Sequence, residues 1–129
     1  MKNLTIVIGV IGENLKNGVV FSQFPESGKH PKEQIEWVNR FISSEDFPDM
    51  DRVIGTFSDY IIREINYLIM IGKLSPDKVI AIDENGYRLK VDETGFEVPS
   101  IDETIDNQND RIEEAYYNLK YPDNEENED

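Results

Sequence analysis

The fold class follows from one stretch in the middle of the chain, Arg52-Val53-Ile54-Gly55-Thr56-Phe57-Ser58-Asp59-Tyr60-Ile61-Ile62-Arg63-Glu64-Ile65-Asn66-Tyr67-Leu68-Ile69-Met70. Its first five residues predict a short strand, and Ser58 or Asp59 is a suitable N-cap for a helix that ends near Gly72. The apolar positions of this helix cover most of its circumference and predict deep packing: Ile61, Ile62, Ile65, Leu68, Ile69 and Met70. A strand that leads directly into a buried helix is typical of α/β proteins.

The sequence on both sides continues this alternation of strands and helices. Apolar spacing predicts the other elements, which are strands at Leu4–Val10, Val19–Phe21 and Lys78–Asp83, a helix at Lys32–Ser43 and one helical turn at Glu13–Lys16. Asn85-Gly86 favours a tight turn, so Tyr87–Val91 is predicted to return antiparallel to the strand before it. The expected fold is therefore α/β, with a mainly parallel sheet, crossover helices and an antiparallel edge hairpin.

The C-terminal part is predicted to be a helix followed by an acidic tail. Ser100 or Asp102 is expected to cap the helix. Its predicted apolar stripe consists of Ile101, Ile105, Ile112, Ala115, Tyr116 and Leu119. Residues 1–121 are expected to form a single domain, and residues 122–129 a disordered tail with five acidic residues and no basic one.

Composition and charge exclude several classes of function. The formal charge of −14 repels phosphate backbones and argues against direct nucleic-acid binding. The chain has no cysteine, which excludes disulfides and fits a reducing, cytoplasmic compartment. No apolar run approaches the roughly 20 residues needed to span a bilayer, so no membrane association is expected. The charge serves solubility, or it forms a surface that binds a basic partner or imitates DNA.

Two segments carry a resemblance to a known family. Phe21-Ser22-Gln23-Phe24-Pro25-Glu26-Ser27-Gly28-Lys29-His30-Pro31 resembles the Walker B strand and D-loop of ABC-type, RecF-like ATPases of the AAA family, with Pro25-Glu26 and His30-Pro31 at the matching positions. Thr56-Phe57-Ser58-Asp59-Tyr60 resembles the switch segment, where family members carry Thr-His-Ser. The resemblance covers about Gly18 to Tyr121 and implies a P-loop NTPase-like half domain.

The departures from the family pattern fall on its chemical positions. The acidic pair that orders Mg²⁺ and polarises water is replaced by Gln23 and Phe24, and the switch histidine by Phe57. No Gly-x-x-x-x-Gly-Lys-[Ser/Thr] motif is present. The resemblance therefore predicts no catalytic, cofactor-binding or metal-binding residue, and the degenerate motif positions are Gln23, Phe24, Glu26, His30, Phe57 and Ser58.

Several residues near these motifs have both a structural and a functional interpretation. Leu4–Val10 is expected to fill the place of the missing Walker A strand inside the sheet, because a gap there would leave backbone groups unpaired. Glu26 is expected to cap the following helix, and His30 to lie at the helix start. Asp83-Glu84 and Asp92-Glu93 are interpreted as solvated turn carboxylates rather than a cation site. Trp37, Phe41, Tyr116 and Tyr117 belong to packing or, alternatively, to an interface with a partner.

The predicted function is that of a non-catalytic, ATPase-like regulatory protein that binds a protein partner, such as an intact ABC-type ATPase. One alternative is a subunit that completes an ATPase in trans, with a partner supplying Walker A and the acidic pair. Another alternative is an acidic inhibitor that imitates DNA. The sequence leaves the oligomeric state open.

Overall fold

The computed structural model describes residues 1–47 and 49–122 and divides the chain into two units, residues 1–97 and the residues from 98 onward. The predicted tail lies outside the described residues apart from Pro122. Among the helices described, none combines the length and the apolar character that crossing a bilayer requires.

The first unit is built on a five-stranded sheet. Its strands are β1 (Leu4–Ile8), β2 (Val20–Gln23), β3 (Arg52–Thr56), β4 (Val79–Ile82) and β5 (Arg88–Leu89), in the order β2-β3-β1-β4-β5. The first four are mutually parallel, and β5 pairs antiparallel with β4 at the edge. This arrangement confirms the predicted α/β class with a mainly parallel sheet and an antiparallel edge pair. The predicted inner position of Leu4–Val10 is also confirmed, because β1 lies between β3 and β4.

Two helices connect the parallel strands as crossovers. Helix α1 (Pro31–Ser43) links β2 to β3, and helix α2 (Asp59–Met70) links β3 to β4. The Ser58 hydroxyl caps α2 by accepting from the backbone N–H of Ile61 at 3.3 Å. Just past the end of α2, Gly72 takes a positive φ of 79°, which glycine adopts without steric cost. The predicted bounds of this helix therefore hold to within two residues.

A buried arginine closes the C-terminal end of α1. Arg52 is only 2% exposed, and it lies on β3, between β2 and β1 in the sheet. Its guanidinium donates to the carbonyls of Phe41, Ile42 and Ser44, the last at 2.9 Å. These carbonyls have no partner within the helix, and a cation there also suits the negative end of the helix dipole. Arg52 thereby fixes where α1 meets the sheet.

The second unit contains one long helix, α3 (Pro99–Lys120). The prediction that Ser100 or Asp102 caps it is wrong, because the N-cap is Val98, without a side-chain hydrogen bond. The helix starts earlier because Pro99 fits its first position, where a missing N–H costs nothing. No side chain of α3 is fully buried, and Ile112 and Leu119 from the predicted stripe are 61% and 82% exposed.

Candidate functional site at the carboxyl edge of the sheet

The carboxyl ends of β1, β3 and β4 surround a cleft of about 550 Å³. From β1 the chain leads to β2 on one side, whereas from the neighbouring strand β3 it crosses through α2 to β4 on the other. In open α/β sheets such a reversal opens a crevice where ligands bind. The cleft is lined by Val7, Ile8, Gly9, Val10, Gly12, Asn14, Leu15, Phe57, Ile82, Asp83, Glu84 and Gly86.

Gln23 braces the loop that forms one wall of this cleft. Its side-chain oxygen accepts from the backbone N–H of Ile11 at 2.7 Å, and its Nε2 donates to the carbonyl of Gly9 at 2.9 Å. Both polar atoms of the amide are therefore occupied by the segment that follows β1. The residue at the first acidic position of the Walker B pattern thus has a structural role, which the sequence did not reveal because its partners lie 12 and 14 residues away.

Gly55 on β3 leaves the room that this bridge requires. Gln23 is the register partner of Gly55. A Cβ atom added at Gly55 would lie 2.5 Å from Gln23 Nε2 and 2.8 Å from the Gly9 carbonyl oxygen. Any larger residue would therefore displace the glutamine or the loop that it holds.

Phe24 and Phe57, the other two positions that depart from the family pattern, contact each other. Their ring centroids are 5.8 Å apart and their planes differ by 16°, so the rings stack. Phe24 has a φ of 50°, which is uncommon for a residue with a side chain, and its N–H donates to the Gly55 carbonyl at 2.7 Å. The Phe57 ring also lies against Gly9, where an added Cβ would be 3.3 Å from its Cζ. Phe57 remains 54% exposed, so the pair presents an aromatic surface beside the cleft.

The prediction that Glu26 caps α1 is wrong. Its carboxylate accepts from the Thr56 hydroxyl at 2.7 Å and from the Phe57 N–H at 3.1 Å, so it joins the D-loop-like segment to the end of β3. The cap of α1 is His30, whose Nδ1 accepts from the Lys32 N–H at 3.1 Å. Both Glu26 oxygens accept from donors at the end of β3, which lie about 30 residues away and so outside what local sequence pattern can predict.

Ser58 extends the same hydrogen-bond network to α1. Its N–H donates to Thr56 Oγ1 at 2.9 Å, and its hydroxyl donates to Gln34 Oε1. Gln34 is 8% exposed, and its Nε2 donates in turn to the Lys29 carbonyl at 3.1 Å. The two segments that carry the family resemblance are therefore joined by side-chain hydrogen bonds as well as by the β2-β3 ladder.

The electrostatics of the cleft disfavour a phosphate. Asp83 and Glu84 stand on its rim, and no lysine or arginine lines it. Lys16, in the segment between β1 and β2, instead pairs with Glu13 at 3.0 Å, and its Nζ lies 5.4 Å from the centre of the Phe21 ring. Among the residues described, no three His, Cys, Asp or Glu side chains are grouped so that they could hold a metal ion.

The carboxylates around the hairpin stabilise turns. Asp83 Oδ1 accepts from the N–H groups of Asn85 and Tyr87, both at 2.9 Å. Asp92 Oδ1 accepts from the hydroxyl of Thr94 at 2.7 Å and from its N–H at 2.9 Å, and these hydrogen bonds lower the pKa of Asp92. This agrees with their interpretation as turn carboxylates.

The four predicted interface residues do not share one environment. Phe41 is 6% exposed and stacks on the half-buried Trp37, with centroids 4.8 Å apart. Tyr116 and Tyr117 are more than half exposed, so the packing interpretation preferred for them is wrong. The tyrosines remain available for contacts with a partner, whereas Phe41 is a core residue.

Comparison with known proteins adds no relative: no family model, no curated protein and no solved structure matches the chain.

Proposed function

We propose that the protein is a non-catalytic, ATPase-like interaction protein that binds a protein partner through the carboxyl edge of its sheet. The observation that carries this proposal is the stacked pair of Phe24 and Phe57, with Phe57 54% exposed. In the resembled family these two positions hold an acid and a histidine that act on nucleotide. An exposed aromatic group is a poor catalyst but a good anchor in a protein interface.

The topology supports the resemblance to a P-loop NTPase-like half domain. The two motif segments lie at the carboxyl ends of adjacent, parallel strands, β2 and β3, and Glu26 joins them by accepting hydrogen bonds from Thr56 and Phe57. Strand β1 lies inside the sheet, where the resemblance requires a strand in place of Walker A. These features agree with the scaffold that the resemblance implies, and on that reading the acidic pair is replaced.

The environment of the substituted positions supports the absence of ATP hydrolysis. The amide of Gln23 is held by backbone groups on both sides and is uncharged, so it is a poor substitute for the carboxylate that a hydrated Mg²⁺ prefers. Lys16 is paired with Glu13, and the rim carboxylates Asp83 and Glu84 repel the phosphates of a nucleotide. We therefore infer a binding function, in the cytoplasm and without a cofactor, with an intact ABC-type ATPase as the partner.

Co-purification with candidate ATPases tests this proposal. The affinity-tagged chain is co-expressed with each RecF-like ABC ATPase of its host, and retention is compared between the wild type, Phe57→Ala and Tyr67→Ala. Tyr67 lies on α2 and is 52% exposed, so it is a control of matched exposure outside the cleft. Retention of an ATPase that is lost in Phe57→Ala but kept in Tyr67→Ala supports the proposal.

ATP turnover separates the proposal from its alternatives. A regulator changes the rate of the intact ATPase, and the chain by itself neither binds nor hydrolyses Mg²⁺-ATP. If the purified chain hydrolyses ATP, the proposal is wrong. If Mg²⁺-ATP binds only to the mixture of the chain with a partner that supplies Walker A and the acidic pair, the chain is a subunit that completes an ATPase in trans.

A further inference from the structure

Helix α3 carries an apolar seam at heptad spacing. With Ile105 at position a of a heptad abcdefg, the a and d positions through Leu119 are Ile105, Gln108, Ile112, Ala115 and Leu119. Four of these five residues are apolar. Ile112 and Leu119 are the largest exposed aliphatic residues of the helix, at 61% and 82%. Such exposure of aliphatic side chains at heptad spacing marks an interaction surface.

The acidic residues in the part of this helix that carries the seam are placed away from it. Within residues 105–120, the acids Asp106, Asp110, Glu113 and Glu114 occupy only the outer positions b, c and f. The e and g positions, which flank the seam, hold Asn109, Arg111, Tyr116 and Asn118. A chain with a net charge of −14 repels its own copies, and like charges at e and g oppose helix pairing. From residue 105 to residue 120, this distribution keeps acidic repulsion away from the seam and on the outer face.

We propose that α3 pairs with α3 of a second copy of the chain, burying the seam in a short two-helix coiled coil. A second copy fits this surface because it offers the same apolar positions and the same flanks, which hold no acidic residue within residues 105–120. Gln108, the polar residue of the seam, would face the partner helix and restrict its register. The inference is independent of the partner proposed for the sheet edge.

Sedimentation velocity of the full chain tests the pairing at increasing concentration. The expected result is a monomer–dimer equilibrium in which Ile112→Asn and Leu119→Ser each raise the Kd about tenfold or more, because each removes a large apolar contact. Tyr117→Ala is the matched control, since Tyr117 is 56% exposed but occupies outer position f. Added salt should tighten the dimer, because it screens the net repulsion without affecting apolar contacts.

Engineered disulfides give a second readout that does not depend on dimer affinity. The chain has no cysteine, so Ala115→Cys and Ile105→Cys introduce single thiols in the seam, and Tyr117→Cys a single thiol outside it. If the two helices are parallel, Ala115→Cys alone should form a disulfide-linked homodimer. If they are antiparallel, a disulfide should form only when Ile105→Cys and Ala115→Cys are mixed. A chain that stays monomeric and shows no cross-linking above that of Tyr117→Cys would overturn the proposal, as would a dimer unaffected by Ile112→Asn and Leu119→Ser.

Discussion

Replacing Gln23 tests whether the side chain at this position has a structural role. The first variant is Gln23→Ala, which removes both side-chain hydrogen bonds to the loop after β1. The second is Gln23→Asp, which restores the acid found in the resembled family. The third is Gln23→Glu, which keeps the length and one acceptor but places a second oxygen against the Gly9 carbonyl.

The two hydrogen bonds, at 2.7 Å and 2.9 Å, set the expected magnitude. Each contributes about 1 kcal/mol net, so Gln23→Ala should lower the free energy of unfolding by about 2 kcal/mol. Gln23→Asp should lose at least as much, because its chain is one methylene shorter and cannot reach both Gly9 and Ile11. In Gln23→Glu the deficit should shrink as the pH falls through the pKa of the new carboxyl, because its protonated form regains a donor for the Gly9 carbonyl.

Urea denaturation provides the free energies, with fluorescence of the single tryptophan, Trp37, as the probe. Hydrogen exchange of the Ile11 amide reports on the loop itself, and it should accelerate in Gln23→Ala and Gln23→Asp. Gly55→Ala serves as the complementary perturbation, since the added Cβ meets the same side chain and the same loop. Its cost should be smaller in a Gln23→Ala background than in the wild type.

Two results would refute the reasoning. The first is a free energy of unfolding for Gln23→Ala that lies within about 0.5 kcal/mol of the wild-type value, which is the range of ordinary surface substitutions. In that case the two hydrogen bonds of Gln23 do not stabilise the loop. If Gln23→Asp, alone or combined with Phe24→Glu, binds Mg²⁺-ATP, the loop is not an obstacle to nucleotide and the non-catalytic interpretation of the edge fails.

Three further predictions concern residues outside the cleft. Arg52→Ala should lower the free energy of unfolding by about 3 kcal/mol in chemical denaturation, because it leaves the carbonyls at the end of α1 without donors; an unchanged midpoint would contradict the capping role. Gly95→Ala should cost about 2 kcal/mol or more in the same assay, since φ is 91° and the added Cβ would lie 2.1 Å from Asn66 Oδ1; a neutral effect would contradict the tight approach. Thr94→Val should raise the pKa of Asp92 in an NMR titration, because the Thr94 hydroxyl is the main cause of its lowering. Because the pKa of Asp92 is lower in the folded chain, its ionised carboxylate stabilises the fold at pH values above the unfolded pKa of about 3.9, and this stabilisation is lost as the pH falls through the folded pKa. The Thr94→Val variant lacks most of this stabilisation, so acid should lower its stability by less than it lowers that of the wild type.

Local sequence was sufficient for the elements whose signals are local. The bounds of β3 agree with the prediction, and α2 differs by at most two residues, because a β-branched run, a serine cap and a C-terminal glycine act within a few residues of one another. The sheet class followed from the alternation of elements. The predicted start of α3 was wrong, because the helix begins at Pro99, before the polar residues that were expected to cap it.

The candidate site could be predicted only in part. The resemblance picked out Gln23, Phe24 and Phe57 as substituted positions, but it gave no information on what the substitutes contact. Their partners depend on the order of strands in the sheet, which places segments 30 residues apart side by side. For the same reason the role predicted for Glu26 was wrong, and the sequence did not predict that a buried Arg52 caps α1.

The substitutions at the sheet edge depend on one another, and this dependence bears on what the edge can do. Gln23 needs the space above Gly55, and the loop that it holds places Gly9 beneath the Phe57 ring. Phe57 in turn stacks on Phe24, whose N–H is fixed by the Gly55 carbonyl. Introducing one acidic residue at position 23 or 24 would therefore disturb its neighbours before it supplied any ligand for Mg²⁺. A surface whose parts support one another in this way is suited to presenting a fixed shape to a partner, which is the function that we propose for it.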